Sequence, residues 1–162
     1  MKVKHILLKA TVCCTGLMAA NTMLAQIVLS NTESSFPIVS PTKTACFVYD
    51  KKDSPVVGTV ASCVADDIEL VTGKRPTLKT TIEEGTFPII AGTIGNSAIL
   101  DGLIEDGKVD TTGVAGRWEA YALQRVKQPT EGVEEALVVM GGTPRGTAYG
   151  LFEISRLIGV SP

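Results

Sequence analysis

The spacing of apolar and polar positions along the chain changes period several times, and each change marks an element. Residues 44–49 (TACFVY) are dense in β-formers and run into Asp50-Lys51-Lys52-Asp53, which predicts a strand ending in a turn. Val60, Val64, Ile68 and Val71 then recur at helical spacing, with Asp66, Asp67 and Glu69 between them. Ser54 and Pro55 supply the N-cap and first position of that helix, and Gly73 supplies its stop. Residues 76–81 read as a candidate edge strand, and 87–91 (FPIIA) as a short buried one. After the turn 92–97, with Asn96 or Ser97 as cap, Ile99, Leu100, Leu103 and Ile104 form the apolar face of a helix over 98–106. Residues 107–117 read as loop. Residues 118–126 (WEAYALQRV) alternate in part, which predicts a strand near an edge, and 136–140 (ALVVM) form a fully apolar strand. A last helix is expected over 147–157, with Tyr149, Phe152, Ile154 and Leu157 available to the core. The order β-α-(β)-β-α-β-β-α predicts an α/β (α+β) domain: a mixed β-sheet with helices packed on it.

The N-terminus follows a different pattern. Lys2, Lys4 and His5 precede a small-residue apolar run over 11–20, the order of a secretory signal, with cleavage expected after Ala25. The run is shorter than the roughly 20 residues of a membrane span. No membrane span is therefore expected, and the reading is of an exported protein, periplasmic or extracellular. Residues 26–43, rich in Ser, Thr and Pro, form a leader segment that could add an edge strand, and 44–160 form the domain.

Removal of the signal and its three lysines leaves 137 residues with 12 basic against 17 acidic side chains. That is one domain's length. The scattered acids offer no clustered basic face, so nucleic acid is not an expected partner. Cys46 and Cys63 remain in a compartment that would permit a disulfide, and the burial preference of cysteine favours two buried free thiols instead. Two cysteines and no histidine after His5 are too few for a usual zinc site, so neither metal nor cofactor is expected.

Two glycine-rich strand-to-helix turns, 92–97 and 141–146, could aim backbone amides at an anion. Neither has the order of a Walker loop or of a dinucleotide turn. Arg145 stands at the start of a helix, where the dipole disfavours a cation, and so calls for an acidic partner. That partner could be a structural carboxylate, in this domain or a neighbouring one, or a carboxylate on a substrate; the structural role is favoured. Arg145 is the one candidate substrate-binding residue. The acidic pairs Asp66-Asp67, Glu83-Glu84, Glu105-Asp106 and Glu134-Glu135 point in divergent directions within each pair and read as solvated faces or turns, not as a glycosidase pair. No catalytic residue is assigned.

The stretch Val138-Val139-Met140-Gly141-Gly142-Thr143-Pro144-Arg145-Gly146-Thr147-Ala148-Tyr149-Gly150-Leu151-Phe152-Glu153-Ile154-Ser155, followed by Ile158-Gly159-Val160-Ser161-Pro162, resembles glycoside hydrolase family 115, the xylan α-1,2-glucuronidases. Residues 46–73 and 89–103 are similar to that family's upstream pieces. The same kind of α/β domain precedes the barrels of family 67 glucuronidases and β-hexosaminidases. The resemblance implies an accessory domain packed on a (β/α)₈ catalytic barrel, which would be its partner, with glucuronoxylan as the substrate of the whole enzyme. The motif's Gly-Val-Ser-Pro leads into the barrel, so the catalytic residues are expected C-terminal to Pro162, and 1–162 alone is expected to release no glucuronic acid. An apolar patch near Leu151, Ile158 and Val160 is expected to face the barrel and to make the chain associate without it. A stand-alone carbohydrate-binding module would instead present exposed aromatics. Most of the eight aromatics fit the core pattern, which disfavours that alternative; a protein-interaction domain is a third reading.

Overall fold

A computed structural model describes residues 35–160. The predicted signal, the first part of the leader, and Ser161-Pro162 lie outside the described residues. The elements run in the order β1 (Cys46–Tyr49), α1 (Pro55–Thr72), β2 (Thr77–Lys79), β3 (Pro88–Thr93), α2 (Ala98–Glu105), β4 (Tyr121–Lys127), β5 (Glu135–Gly141) and α3 (Pro144–Leu157). The strands form one mixed sheet in the order β2-β1-β3-β5-β4. β4 pairs antiparallel to β5 at one edge, and the other pairings are parallel.

The central strands are continuously apolar because helices cover both of their faces. On one face Phe47, Ile89, Ala91 and Val139 meet Val57, Val64 and Ile68 of α1 and Leu151 and Ile154 of α3. On the other, Val48, Ile90, Val138 and Met140 meet Leu100 and Leu103 of α2, with Val109 and Val114 closing the layer from the loop after it. Each fully buried side chain of this size stabilises the fold by about 1.5–3 kcal/mol. The link between β2 and β3 contains no helix; Ile82 of that link packs against the α2 side of the sheet.

Several expectations are corrected. Residues 35–43 add no strand to the sheet; they make a single antiparallel bridge, Val39 to Thr44, and lay Phe36, Ile38 and Val39 on the α1–α3 core. β4 begins at Tyr121 rather than Trp118, because Glu119 has φ 58° and breaks the extended run. α3 begins at Pro144 rather than Thr147: Thr143 is its N-cap, accepting from the Gly146 amide, and Pro144 takes the position where a missing N–H costs nothing. Val71 is half exposed, past the point where α1 leaves the sheet.

Tyr149 and Phe152 point to solvent, and the buried stripe of α3 is Ala148, Leu151, Ile154 and Ser155. Small residues serve there because α3 lies close to the sheet. A Cβ on Gly150 would stand 2.9 Å from Val139 Cγ1 and 3.2 Å from Tyr121 Cβ. Leu151, expected on a surface patch, is fully buried, while Ile158 and Val160 are half-buried.

Candidate functional site

The two glycine turns lie side by side at the C-terminal ends of β3 and β5, where ligands of open α/β sheets bind. In the first, each amide from Thr93 to Ala98 already has an acceptor within the chain. Thr93 donates to Asp53 Oδ2 at 2.7 Å, Gly95 to Asp101 Oδ1 at 2.9 Å and Ala98 to Asp50 Oδ2 at 2.9 Å. Ile94 donates to the Gly141 carbonyl, and Asn96 and Ser97 donate to that of Thr93. Asp53 is buried, and its second oxygen accepts from the Ser54 amide at 2.7 Å. Three carboxylates of the chain itself thus stand where a phosphate would have to stand.

The second turn is filled by backbone. The Gly142 amide donates to the Ala120 carbonyl at 3.0 Å. A Cβ on Gly142 would run into the carbonyls of Val114 and Arg117, and one on Gly146 would come within 2.5 Å of the Ala120 carbonyl. Only glycine lets the loop 114–120 lie so close. Thr147, fully buried, joins the two turns: its hydroxyl lies 2.9 Å from Thr93 Oγ1 and 3.1 Å from the Gly92 carbonyl.

That loop carries Trp118, three-quarters exposed, to the surface beside the start of α3. Arg145 meets it there. Its Nε donates to Tyr149 Oη at 2.8 Å and lies 3.1 Å from Glu119 Oε1. Its guanidinium carbon lies 5.9 Å from the centre of the Trp118 ring and 5.5 Å from that of Tyr149, within cation–π range. The Tyr149 hydrogen bond, followed by the Glu119 charge, holds the guanidinium still more firmly protonated than usual. The acidic partner that sequence demanded is therefore Glu119, on a loop 26 residues upstream.

Phe152 extends the exposed stripe along α3, and Tyr121 borders it from β4. Burial, then the nearby Glu153 carboxylate, raises the Tyr121 phenol above its ordinary range. Arg156 closes the stripe and is itself paired with Glu153 at 2.5 Å. The sequence pattern makes Tyr149 and Phe152 available to the core, where the structure does not put them. The signal that could have separated them is the helical spacing of Arg145, Tyr149, Phe152 and Arg156, a face bounded by arginines.

Among the other candidates, Asp66, Glu83 and Asp106 pair with Arg75, Lys79 and Lys108. Glu135 departs from the expected solvated face: it is buried and paired with Arg125. Cys46 and Cys63 are free; Cys46 is buried and Cys63, against expectation, exposed. They cannot join, since Cys46 faces the α2 layer and Cys63 lies on α1, across the sheet. Burial raises the Cys46 thiol above its ordinary range, which leaves it a poor nucleophile. No three His, Cys, Asp or Glu side chains come together in a metal-holding group among the described residues, and no described helix is long and apolar enough to cross a membrane.

No family model matches the chain, and no curated protein matches it. Among solved structures it is similar to BtGH115A, a family GH115 4-O-methyl-α-glucuronidase with specificity for decorated arabinogalactans. The identity is 32% and the TM-score 0.57 over 73% of this chain. It is also similar to CpGH84D, at 12% identity and TM-score 0.51 over 70% of this chain, a likeness of fold alone. The chain spans 14% of the first protein and 17% of the second. Its mixed five-stranded sheet with three helices is a glycoside-hydrolase-related α/β domain, similar to one part of a GH115 glucuronidase.

Proposed function

We propose that this domain is the accessory domain of an exported α-glucuronidase, packed beside a (β/α)₈ barrel that removes uronic acid branches from a plant polysaccharide, and that the domain contributes no catalytic group. The observation that carries this reading is the lopsided similarity to the GH115 enzyme: most of this chain corresponds to a small share of that one. The chemistry of the domain supports it. The polar groups at the strand ends are engaged with one another, as a scaffold requires, and burial raises the Cys46 thiol above its ordinary range.

Glucuronoxylan is the substrate implied by the family resemblance, and decorated arabinogalactan is the one for which the similar enzyme is specific. Both belong in the test. The purified chain should release no 4-O-methylglucuronic acid from either; release would overturn the non-catalytic reading. An antibody against the domain should deplete α-glucuronidase activity from the periplasm or medium of the producing cell, and undiminished activity would argue against the accessory role.

A further inference from the structure

Four large aromatics are exposed, two of them, Trp118 and Tyr149, against Arg145, and core packing does not account for them. Trp118 is 75% exposed, Phe152 44%, Tyr121 39% and Tyr149 38%. Such a patch is costly in water unless something covers it. It is also firmly built. Glu119 sits at φ 58°, a conformation that persists in a non-glycine residue only where its surroundings over-determine it. Here they do: the Ala120 carbonyl is bonded to Gly142, Gly146 leaves room for the loop, and the Glu119 carboxylate is on Arg145. Arg145 in turn steadies Trp118 and Tyr149. A surface held this way loses little freedom when it binds.

We infer that Trp118, braced by Arg145 and Tyr149, is a stacking platform for an uncharged sugar ring of a polysaccharide. The negative face of an indole attracts the polarised C–H bonds along one side of a pyranose ring. At three-quarters exposure the indole keeps a face open for it. Charge selects against a uronate at this point. Arg145 is already paired with Glu119 and Arg156 with Glu153, so neither offers a bare cation to a carboxylate. The choice of a sugar over a protein partner, which Trp, Tyr and Arg also suit, rests on the glycoside hydrolase reading above. The aromatic-platform criterion of a carbohydrate-binding surface, which the sequence failed to meet, is met by the structure.

Trp118 is the chain's single tryptophan, so its fluorescence reports on this site alone. Unbranched xylan and galactan oligosaccharides, titrated into the full chain, should shift the emission saturably. In calorimetry Trp118→Ala should weaken binding about tenfold. Arg145→Gln, which frees the rings without removing them, should weaken it by about threefold. Both variants should keep the far-ultraviolet circular dichroism of the parent, as exposed positions allow.

An unchanged emission with every oligosaccharide, or undiminished binding by Trp118→Ala, overturns the proposal. So does binding that requires a uronic acid branch. Emission that follows chain concentration instead of sugar, with self-association lost in Trp118→Ala, would make the face a protein interface. The antibody depletion above reports on the accessory reading separately. Depletion without a sugar response sinks the platform alone, and a sugar response without depletion sinks the accessory role alone.

Discussion

The turns after β3 and β5 share a composition rich in glycine, a position at the carboxyl edge of the sheet and a helix that starts just beyond, yet they are completed in opposite ways. The first is completed by charge. Asp50 and Asp53, from the end of β1, and Asp101, from the first turn of α2, reach back to its amides. The second is completed by another stretch of backbone, and Gly142 and Gly146 serve to let its carbonyls in, while Gly141 makes room for Thr147. A glycine-rich strand-to-helix turn is thus not in itself an anion site; what matters is whether the rest of the fold leaves its donors unclaimed.

The sharpest way to break this contrast is to add one methyl group to each turn. Gly141→Ala would drive Cβ into the amide and hydroxyl of Thr147, with an expected loss of about 3 kcal/mol or more in urea denaturation. Gly95→Ala meets nothing within 4 Å and should lose only the left-handed backbone penalty, about 1–2 kcal/mol. Equal losses would mean that Thr147 does not pack against Gly141 as described. Next in size, Asp53→Ala strands the amides of Thr93 and Ser54, for an expected loss of roughly 2–3 kcal/mol; a neutral result would show that water replaces the carboxylate readily.

Thr147→Val, which cuts the tie between the turns, should cost about 1–2 kcal/mol and speed amide exchange on β3 as well as on α3. The smallest effect concerns acid. The Arg156 hydrogen bond lowers the Glu153 carboxyl below its ordinary range, so the pair's stabilisation is present above the unfolded carboxylate's range and is lost as pH falls through the folded value. Glu153→Gln should therefore lower the melting temperature slightly at neutral pH and leave it unchanged in strong acid, which flattens the acid side of the profile.

Much of this was open to a reading of the sequence, and the failures share a cause. Helix α1 was legible from Ser54-Pro55 to Gly73, as were the cores of β1, β3 and β5, because caps and unbroken apolar runs are local signals. The α3 periodicity admits two stripes, and the larger side chains of Tyr149 and Phe152 suggested the wrong one. The true stripe is set by how closely Gly150 lets the helix approach Val139 and Tyr121, a distance only the fold defines. The positive φ of Glu119 was invisible inside an alternating run, and so was the resulting exposure of Trp118. Arg145 announced that it needed a carboxylate, but which one depends on a loop folded back across Gly142 and Gly146. Asp53, 40 residues from Thr93, gave no local sign at all.

The Thr93–Thr147 bond also governs how force would travel. A polysaccharide or neighbouring domain pulling on Trp118 pulls on the loop 114–120, and that loop is anchored at Gly142. From there the load passes into α3 and, through Thr147, straight into β3 at the centre of the sheet. The exposed tryptophan is in this sense tied by a continuous run of hydrogen bonds to the central strand of the sheet.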